Sequence, residues 1–310
     1  MASRKNAAAK SGGQALRRRL CGCMSVHHWL LEQYPSFRTA QMALYHQSES
    51  ARRAPLKAPT KPCVITVVVH VLYANAQQKA TRAQVRSQIR VLNRDFRAKN
   101  ADRKRTPAVW RGLVADAMVE FKLATRDPKG KSTDGIVYKQ TQLTEFGQND
   151  SMKSAARGGS DPWPTDRYLN LWVCTLKDDL LGYAQFPGGP KATDGVVIDT
   201  KAFGTSGTAR APFNLGRTCT HEVGHYLNLR HIWGDTEDCS GGDLVHDTPN
   251  AETPNFGTPK FPSISCQNGP SGDMFMNYMD YVDDAAMFMF TIEQVGRMHA
   301  ALNGPRRSLW

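Results

Sequence analysis

Residues 221–231 read His-Glu-Val-Gly-His-Tyr-Leu-Asn-Leu-Arg-His, and the arrangement of the whole chain follows from this one stretch. On a helix, residues four apart share a face, so His221 and His225 can offer imidazole nitrogens to a single ion. Glu222 stands beside the first of them, where it can reach a water on that ion without ligating it. A helix continued past His225 would carry His231 to another face. The spacing therefore predicts a sharp turn between the two. In the long zinc motif H-E-x-x-H-x-x-G-x-x-H a glycine makes that turn, because it tolerates φ > 0. Asn228 holds the position here. Asn is the non-glycine residue that enters the left-handed region most readily and can cap a helix, at a cost of about 1 kcal/mol. A short H-E-x-x-H alone is a weak signal, equally compatible with a polar helix carrying two hydrogen-bonded histidines. The third His at the right offset makes it specific. Three neutral imidazoles with one open position define a catalytic rather than a structural zinc site. Cys219, two residues ahead of His221, is badly placed on the helix to close that position.

Working outward, 310 residues suffice for one large domain or a domain with an appended segment. Apolar residues make up 40% and charged residues 22%, ordinary for a globular protein. The net charge of +12 is unevenly spread. Residues 1–60 carry ten Lys/Arg against two acids, while the other thirty Lys/Arg face twenty-six acids. The basic excess thus belongs to an N-terminal segment, which argues against nucleic-acid binding. No window approaches 18 consecutive apolar residues, so no membrane span is expected. The start, MASRKNAAAKSGGQALRRRL, reads as a disordered basic tail and has no apolar stretch of the kind a secretory signal needs.

Residues 24–50 show a helical pattern broken at Pro35, with apolar contacts expected from Trp29, Leu30, Tyr34, Met42, Leu44 and Tyr45. Residues 50–62, with three prolines, read as an exposed linker, and a boundary falls near residue 60. Beyond it CVITVVVHVLY (63–73) is a β-branched run of the kind found in strands buried on both faces. Residues 81–96 are predicted as a helix, opened by Thr81 with Gln84 and carrying a Val85, Ile89, Leu92, Phe96 stripe. Further strands are expected at 118–124, 169–174, 182–186 and 195–198, and a last helix at 291–303. Residues 234–273, rich in Gly, Pro, Asn and Asp, are expected to be irregular. This order implies a mixed α/β (α+β) domain with a twisted mixed sheet. Of the seven cysteines, Cys63 and Cys174 read as buried thiols and Cys219 as packed, whereas Cys239 and Cys266 lie in loop where a staple would help.

With these residues in hand, the chain resembles the metzincin metallopeptidases and, within them, the pappalysin family. The likeness runs from about residue 61 to 300, and weakly through 21–50. Besides the zinc motif it rests on GYAQFPGG (182–189), TDGVVI (193–198), NLGRTCTHE (214–222), HIWGD (231–235) and MNYMDY (276–281). The resemblance implies a two-subdomain zinc protease, split as 61–231 and 232–310, with a long active-site helix, an irregular C-terminal subdomain and a C-terminal helix. It makes Met279 the methionine of the Met-turn beneath the metal, with Met274, Met276, Met287 and Met289 in the core. It assigns Tyr281 to the oxyanion, and GYAQFP to the sheet-edge strand that pairs with an extended substrate. It pairs Cys239 with Cys266, while a second family disulfide is missing, its positions corresponding to Thr258 and Ala286. It makes Asp243, the His246 carbonyl and Thr248 candidate calcium ligands. Asp283 and Asp284 fall near the expected pocket wall.

In the N-terminal segment, CGCM (21–24) resembles the family's latency motif, in which a thiol fills the open position on zinc. Cys21 aligns best, with Cys23 as the other choice, and Arg52, Arg53 and Lys57 are candidate processing points. The expected function is that of a zinc-dependent endopeptidase acting on protein or peptide substrates, made as a latent zymogen. Glu222 would be the general base. The competing reading is a non-catalytic, zinc-stabilised binding protein, which an intact Glu222 and Tyr281 disfavour. A disulfide, calcium and latency suit an extracellular location, although no signal peptide is visible. Oligomeric state is not readable from the sequence.

Overall fold

A computed structural model describes residues 18–53 and 60–310. The tail over 1–17, and the linker over 54–59 with Lys57, lie outside the described residues. Two helices open the chain, α1 (Cys23–Gln33) and α2 (Pro35–Arg53), divided at Pro35 as the sequence requires. Only part of their expected apolar face is used. Leu30 and Leu44 are buried, whereas Trp29, Tyr34, Met42 and Tyr45 are largely exposed.

The 63–73 run forms β1 (Cys63–Tyr73), the centre of a six-stranded sheet. On one side its first half pairs in parallel with β2 (Val119–Leu123) and its second half with β3 (Ile136–Gln140). On the other side β1 pairs with β4 (Leu169–Cys174), followed by β6 (Val196–Asp199) and then β5 (Gly182–Ala184). Only β5 runs antiparallel, and it closes that edge of the sheet as expected for GYAQFP. β3 escaped the sequence reading because a five-residue run set among turn residues gives too little alternation to register.

Helix α3 (Arg82–Asp95) packs Val85, Ile89, Leu92 and Phe96 into the core. The Gln84 backbone N–H donates to the Thr81 hydroxyl. Its side chain donates instead to the Phe203 carbonyl and the Thr208 hydroxyl, so only half of the predicted capping box forms. At α5 (Ile292–Asn303) both halves of the box are present. The motif helix α4 (Arg217–Tyr226) has ten residues, shorter than the long helix expected. Gly216 in the left-handed region starts it and the Asn228 turn stops it. The region 234–273 is irregular as predicted. It contains only the short β7 (Phe256–Gly257), which pairs with β8 (Tyr281–Val282), and it is stapled by Cys239–Cys266. Cys63, Cys174 and Cys219 are buried free thiols.

Candidate metal centre and cleft

α4 ends in the manner its sequence predicts. Asn228 adopts φ +78, the Leu229 N–H donates to the Gly224 carbonyl at 2.9 Å, and the Asn228 N–H donates to the His225 carbonyl at 2.9 Å. That pattern of bonds is a Schellman cap with Asn in the left-handed place. It reverses the chain and returns His231 to the face of the helix that carries the other two histidines. The Nε2 of His225 then lies 3.1 Å from the Nε2 of both His221 and His231.

The opposite nitrogen of each ring is engaged. His221 Nδ1 faces the Tyr278 carbonyl at 2.7 Å, His225 Nδ1 the Leu229 carbonyl at 2.8 Å, and His231 Nδ1 the Asp235 carboxylate at 2.5 Å. All three acceptors take a proton from Nδ1, so each ring in its neutral form turns an Nε2 lone pair toward one common point. Lone pairs 3.1 Å apart with no hydrogen between them repel unless a cation sits among them. Tetrahedral Zn–N bonds of about 2.05 Å would put ligand nitrogens roughly 3.3 Å apart, close to what is found. The donor set fits zinc.

Burial holds His221 down to about 3, in keeping with a neutral ligand. For His231 burial lowers the value, but the Asp235 charge and hydrogen bond outweigh it and raise it to about 9. The same carboxylate makes the opposite nitrogen a better electron-pair donor. His231 also stacks on Trp233, with ring centres 4.3 Å apart.

Met279 lies under α4. A Cβ added at Gly224 would come 2.5 Å from its sulfur, so the glycine is what allows this approach. Met274, Met276, Met287 and Met289 are buried, as expected. The Tyr281 ring lies 4.9 Å from that of His231 and 5.8 Å from that of His221, with its hydroxyl aimed at the Cys21 carbonyl. Burial pushes the Glu222 carboxyl well above the usual carboxylate range, and the neighbouring Cys21 adds to the shift.

The N-terminal segment fills the cleft. The Gly22 N–H donates to the Gly182 carbonyl, and the Leu181 N–H to the Leu20 carbonyl, each at 3.0 Å, so residues 20–22 run parallel to β5 along its free edge. The Cys21 sulfur and the three Nε2 atoms all lie within 4.8 Å of one another. Burial opposes ionisation of Cys21, but the bond from Cys23 and the adjacent imidazoles prevail and hold its thiol well below the ordinary value. Cys23 is placed differently. It donates to Glu222 Oε2 at 2.9 Å, and its sulfur accepts the Ala184 N–H at 2.9 Å.

Arg19 corrects the reading of residues 1–20 as a disordered tail. Its side chain is 1% exposed and pairs at 2.7 Å with Asp284, itself fully buried. Nε donates to the Val282 carbonyl at 3.2 Å and a terminal nitrogen to the Thr218 hydroxyl at 2.8 Å, while the guanidinium lies 5.0 Å from the centre of the Phe213 ring. The second Asp284 oxygen accepts the Leu215 and Arg217 N–H groups, at the start of α4. Of the two acids marked on the pocket wall, Asp284 is therefore the one with a charged occupant. One basic residue within an Arg-Arg-Arg run carries no local sign that it will be buried. Asp235 was legible only as part of HIWGD.

At the candidate calcium loop, Asp243 and Thr248 are buried and joined by a 2.8 Å hydrogen bond, and burial raises Asp243 to about 7. Among the described residues no helix is long and apolar enough to cross a membrane.

Residues 155–303 match the peptidase family described as pregnancy-associated plasma protein-A. An extracellular metalloprotease of Pyricularia oryzae is 33% identical over 260 residues, 81% of this chain and 79% of the relative. One from Verticillium alfalfae is 36% identical over 248 residues, covering 76% and 74%. Among solved structures, mature mirolysin of Tannerella forsythia in complex with a cleaved peptide is 50% identical, with a TM-score of 0.79 over 81% of this chain and 96% of that one. A mutant of promirolysin from the same organism is 45% identical, with a TM-score of 0.87 over 94% and 97%.

Proposed function

The chain belongs to the pregnancy-associated plasma protein-A family of metallopeptidases and is a zinc-dependent endopeptidase; from that premise we propose that His221, His225 and His231 hold the zinc, that Glu222 is the general base, and that residues 1–60 keep the enzyme latent. The observation that carries this is the convergence of three Nε2 atoms on one point, with the Nδ1 of each ring engaged by its own acceptor. Zinc held there would acidify its water and polarise the scissile carbonyl. Glu222, next to the first ligand, takes the proton from the attacking water on its carboxylate and returns it to the leaving amine. With the N-terminal segment out of the cleft, the Tyr281 hydroxyl is released from the Cys21 carbonyl and donates to the oxygen on which charge develops. The Ala184 N–H and Gly182 carbonyl then pair with an extended substrate along β5.

Residues 61–310 form the catalytic domain in this reading, divided at 231/232, with processing between residues 52 and 60. Asp284 suits a substrate with an arginine or lysine side chain near the cut, since it already holds an arginine in a closed setting. The relatives' designation as extracellular metalloproteases supports an extracellular site of action. A buried carboxylate beside a hydroxyl supports calcium at Asp243 and Thr248, with the His246 carbonyl as a further ligand. The non-catalytic reading is disfavoured, because the carboxylate and the phenol that a binding protein would not need stand beside the histidines.

The deciding test pairs Glu222→Ala with the wild type, both freed of the N-terminal segment. The variant should keep one zinc per chain by metal analysis and lose peptide cleavage. Substantial cleavage by the variant would end the assignment of Glu222.

A further inference from the structure

We propose that Cys21 and Cys23 are an oxidisable dithiol, a modification site at which hydrogen peroxide joins the two sulfurs and releases the N-terminal segment from the cleft. The inference rests on the reading of the site given above and adds a chemical trigger to it. The two sulfurs, a Glu222 oxygen and a His225 nitrogen lie within 4.8 Å of one another. Gly22 alone separates the cysteines, and the Cys23 N–H points at the Cys21 sulfur at 3.4 Å. Cys21 is partly exposed, whereas the other free thiols among the described residues, Cys23, Cys63, Cys174 and Cys219, are buried.

The two thiols do different work. Cys21 faces the three imidazoles and lies 3.4 Å from Glu222 Oε2, while Cys23 makes the closer contact to that oxygen, at 2.9 Å, and also takes the Ala184 N–H. In the reaction the Cys21 sulfur attacks one peroxide oxygen, giving a sulfenic acid and water. The Cys23 sulfur then displaces the hydroxyl, so that an S–S bond forms and a second water leaves. Two thiols lose two hydrogens, and the peroxide is reduced to two waters.

The product cannot hold the closed arrangement. Neither sulfur of the disulfide carries an S–H, so the buried Glu222 side chain loses both of its thiol partners and is better solvated by water in an open cleft. The Cys21 sulfur can no longer act as a thiolate ligand. A bond length of about 2.05 Å also draws the sulfurs together, away from at least one of their present partners.

The test exposes the purified, reduced full-length chain to hydrogen peroxide. Thiols are mapped by alkylation and peptide mass spectrometry, and peptide cleavage is assayed on chains shown by gel to be uncut. A Cys21–Cys23 disulfide should appear, the rate should rise in proportion to the fraction of chains carrying it, and dithiothreitol should restore latency. Cys23→Ser should form no disulfide, and any activation by peroxide should survive dithiothreitol. The inference is overturned if Cys21 passes only to higher oxides in the wild type, or if disulfide-bonded chains stay as latent as reduced ones. Arg19→Ala/Cys21→Ala/Cys23→Ala, checked for zinc and melting temperature, separates the two ideas. If it is folded, zinc-loaded and inactive, the peptidase site itself was misread. If it is active while the disulfide form is not, only the redox trigger fails.

Discussion

Replacing Arg19 by alanine tests how the N-terminal segment is held. The side chain meets Asp284 at 2.7 Å with neither group exposed to solvent. Removing one half of a buried pair typically costs about 3–5 kcal/mol, because the remaining charge is left without its partner. Asp284 keeps the Leu215 and Arg217 N–H groups, at 2.8 and 3.2 Å, and sits at the positive end of α4. The lower figure of about 3 kcal/mol therefore applies. That penalty exists only while the segment covers the pocket, since water reaches Asp284 once it leaves. The loss falls on docking, and at 1.4 kcal/mol per factor of ten the open fraction should rise on the order of a hundredfold. The assay is the initial rate of peptide cleavage by full-length Arg19→Ala, shown by gel to be uncut, beside the wild type. Arg19→Lys should fall between them, because an ammonium keeps the charge but not the fork of donors. An Arg19→Ala chain that melts earlier yet stays as latent as the wild type would refute the argument, by showing that Arg19 supports the fold and not the closure.

Other consequences can be measured directly. His231→Ala leaves two imidazoles and should lose most of its zinc by metal analysis; full retention would point to a different third ligand. Asn228→Gly relieves a left-handed asparagine whose buried amide nitrogen lacks a partner, and should raise the melting temperature by about 2 °C; a clear fall would show that the side chain contributes more than the turn costs. Because burial raises Asp243 to about 7, its share of metal-free stability is full below the unfolded value of about 3.9 and is lost as pH rises through about 7. Calcium needs the ionised form, so millimolar calcium should raise the melting temperature more at about pH 8 than at about pH 6. Equal shifts at both would remove calcium from this loop.

The legible parts of this molecule were those written in local spacing. The histidine offsets foretold both the meeting of three imidazoles and the need for a left-handed residue, and Asn228 supplies it with the cap bonds expected. β1 and the Thr291 capping box were equally plain, because a long β-branched run and a Thr-x-x-Gln pattern act over a few residues. What escaped depends on partners far along the chain. Arg19 finds Asp284 across 265 positions, and nothing in a run of three arginines says which one will be enclosed. Cys23 was recognised only as a substitute for Cys21, since spacing cannot reveal that one thiol faces the imidazoles while its neighbour lies closer to the carboxylate and takes the Ala184 N–H. The ten-residue α4 is shorter than the long helix the resemblance implied, because Gly216 and Asn228, both in the left-handed region, bound it on either side.

Gly224 has one more implication. α4 rests on Met279 more closely than any side chain at 224 would permit, and the Tyr278 carbonyl grips His221 directly. The two halves of the centre are thus registered against each other by touch, not by the length of irregular chain that joins them. Insertions, deletions or grafted loops within that connection, beyond the Asp235 that holds His231, should leave the geometry of the three imidazoles intact, which makes it the place where specificity can be re-engineered without rebuilding the centre.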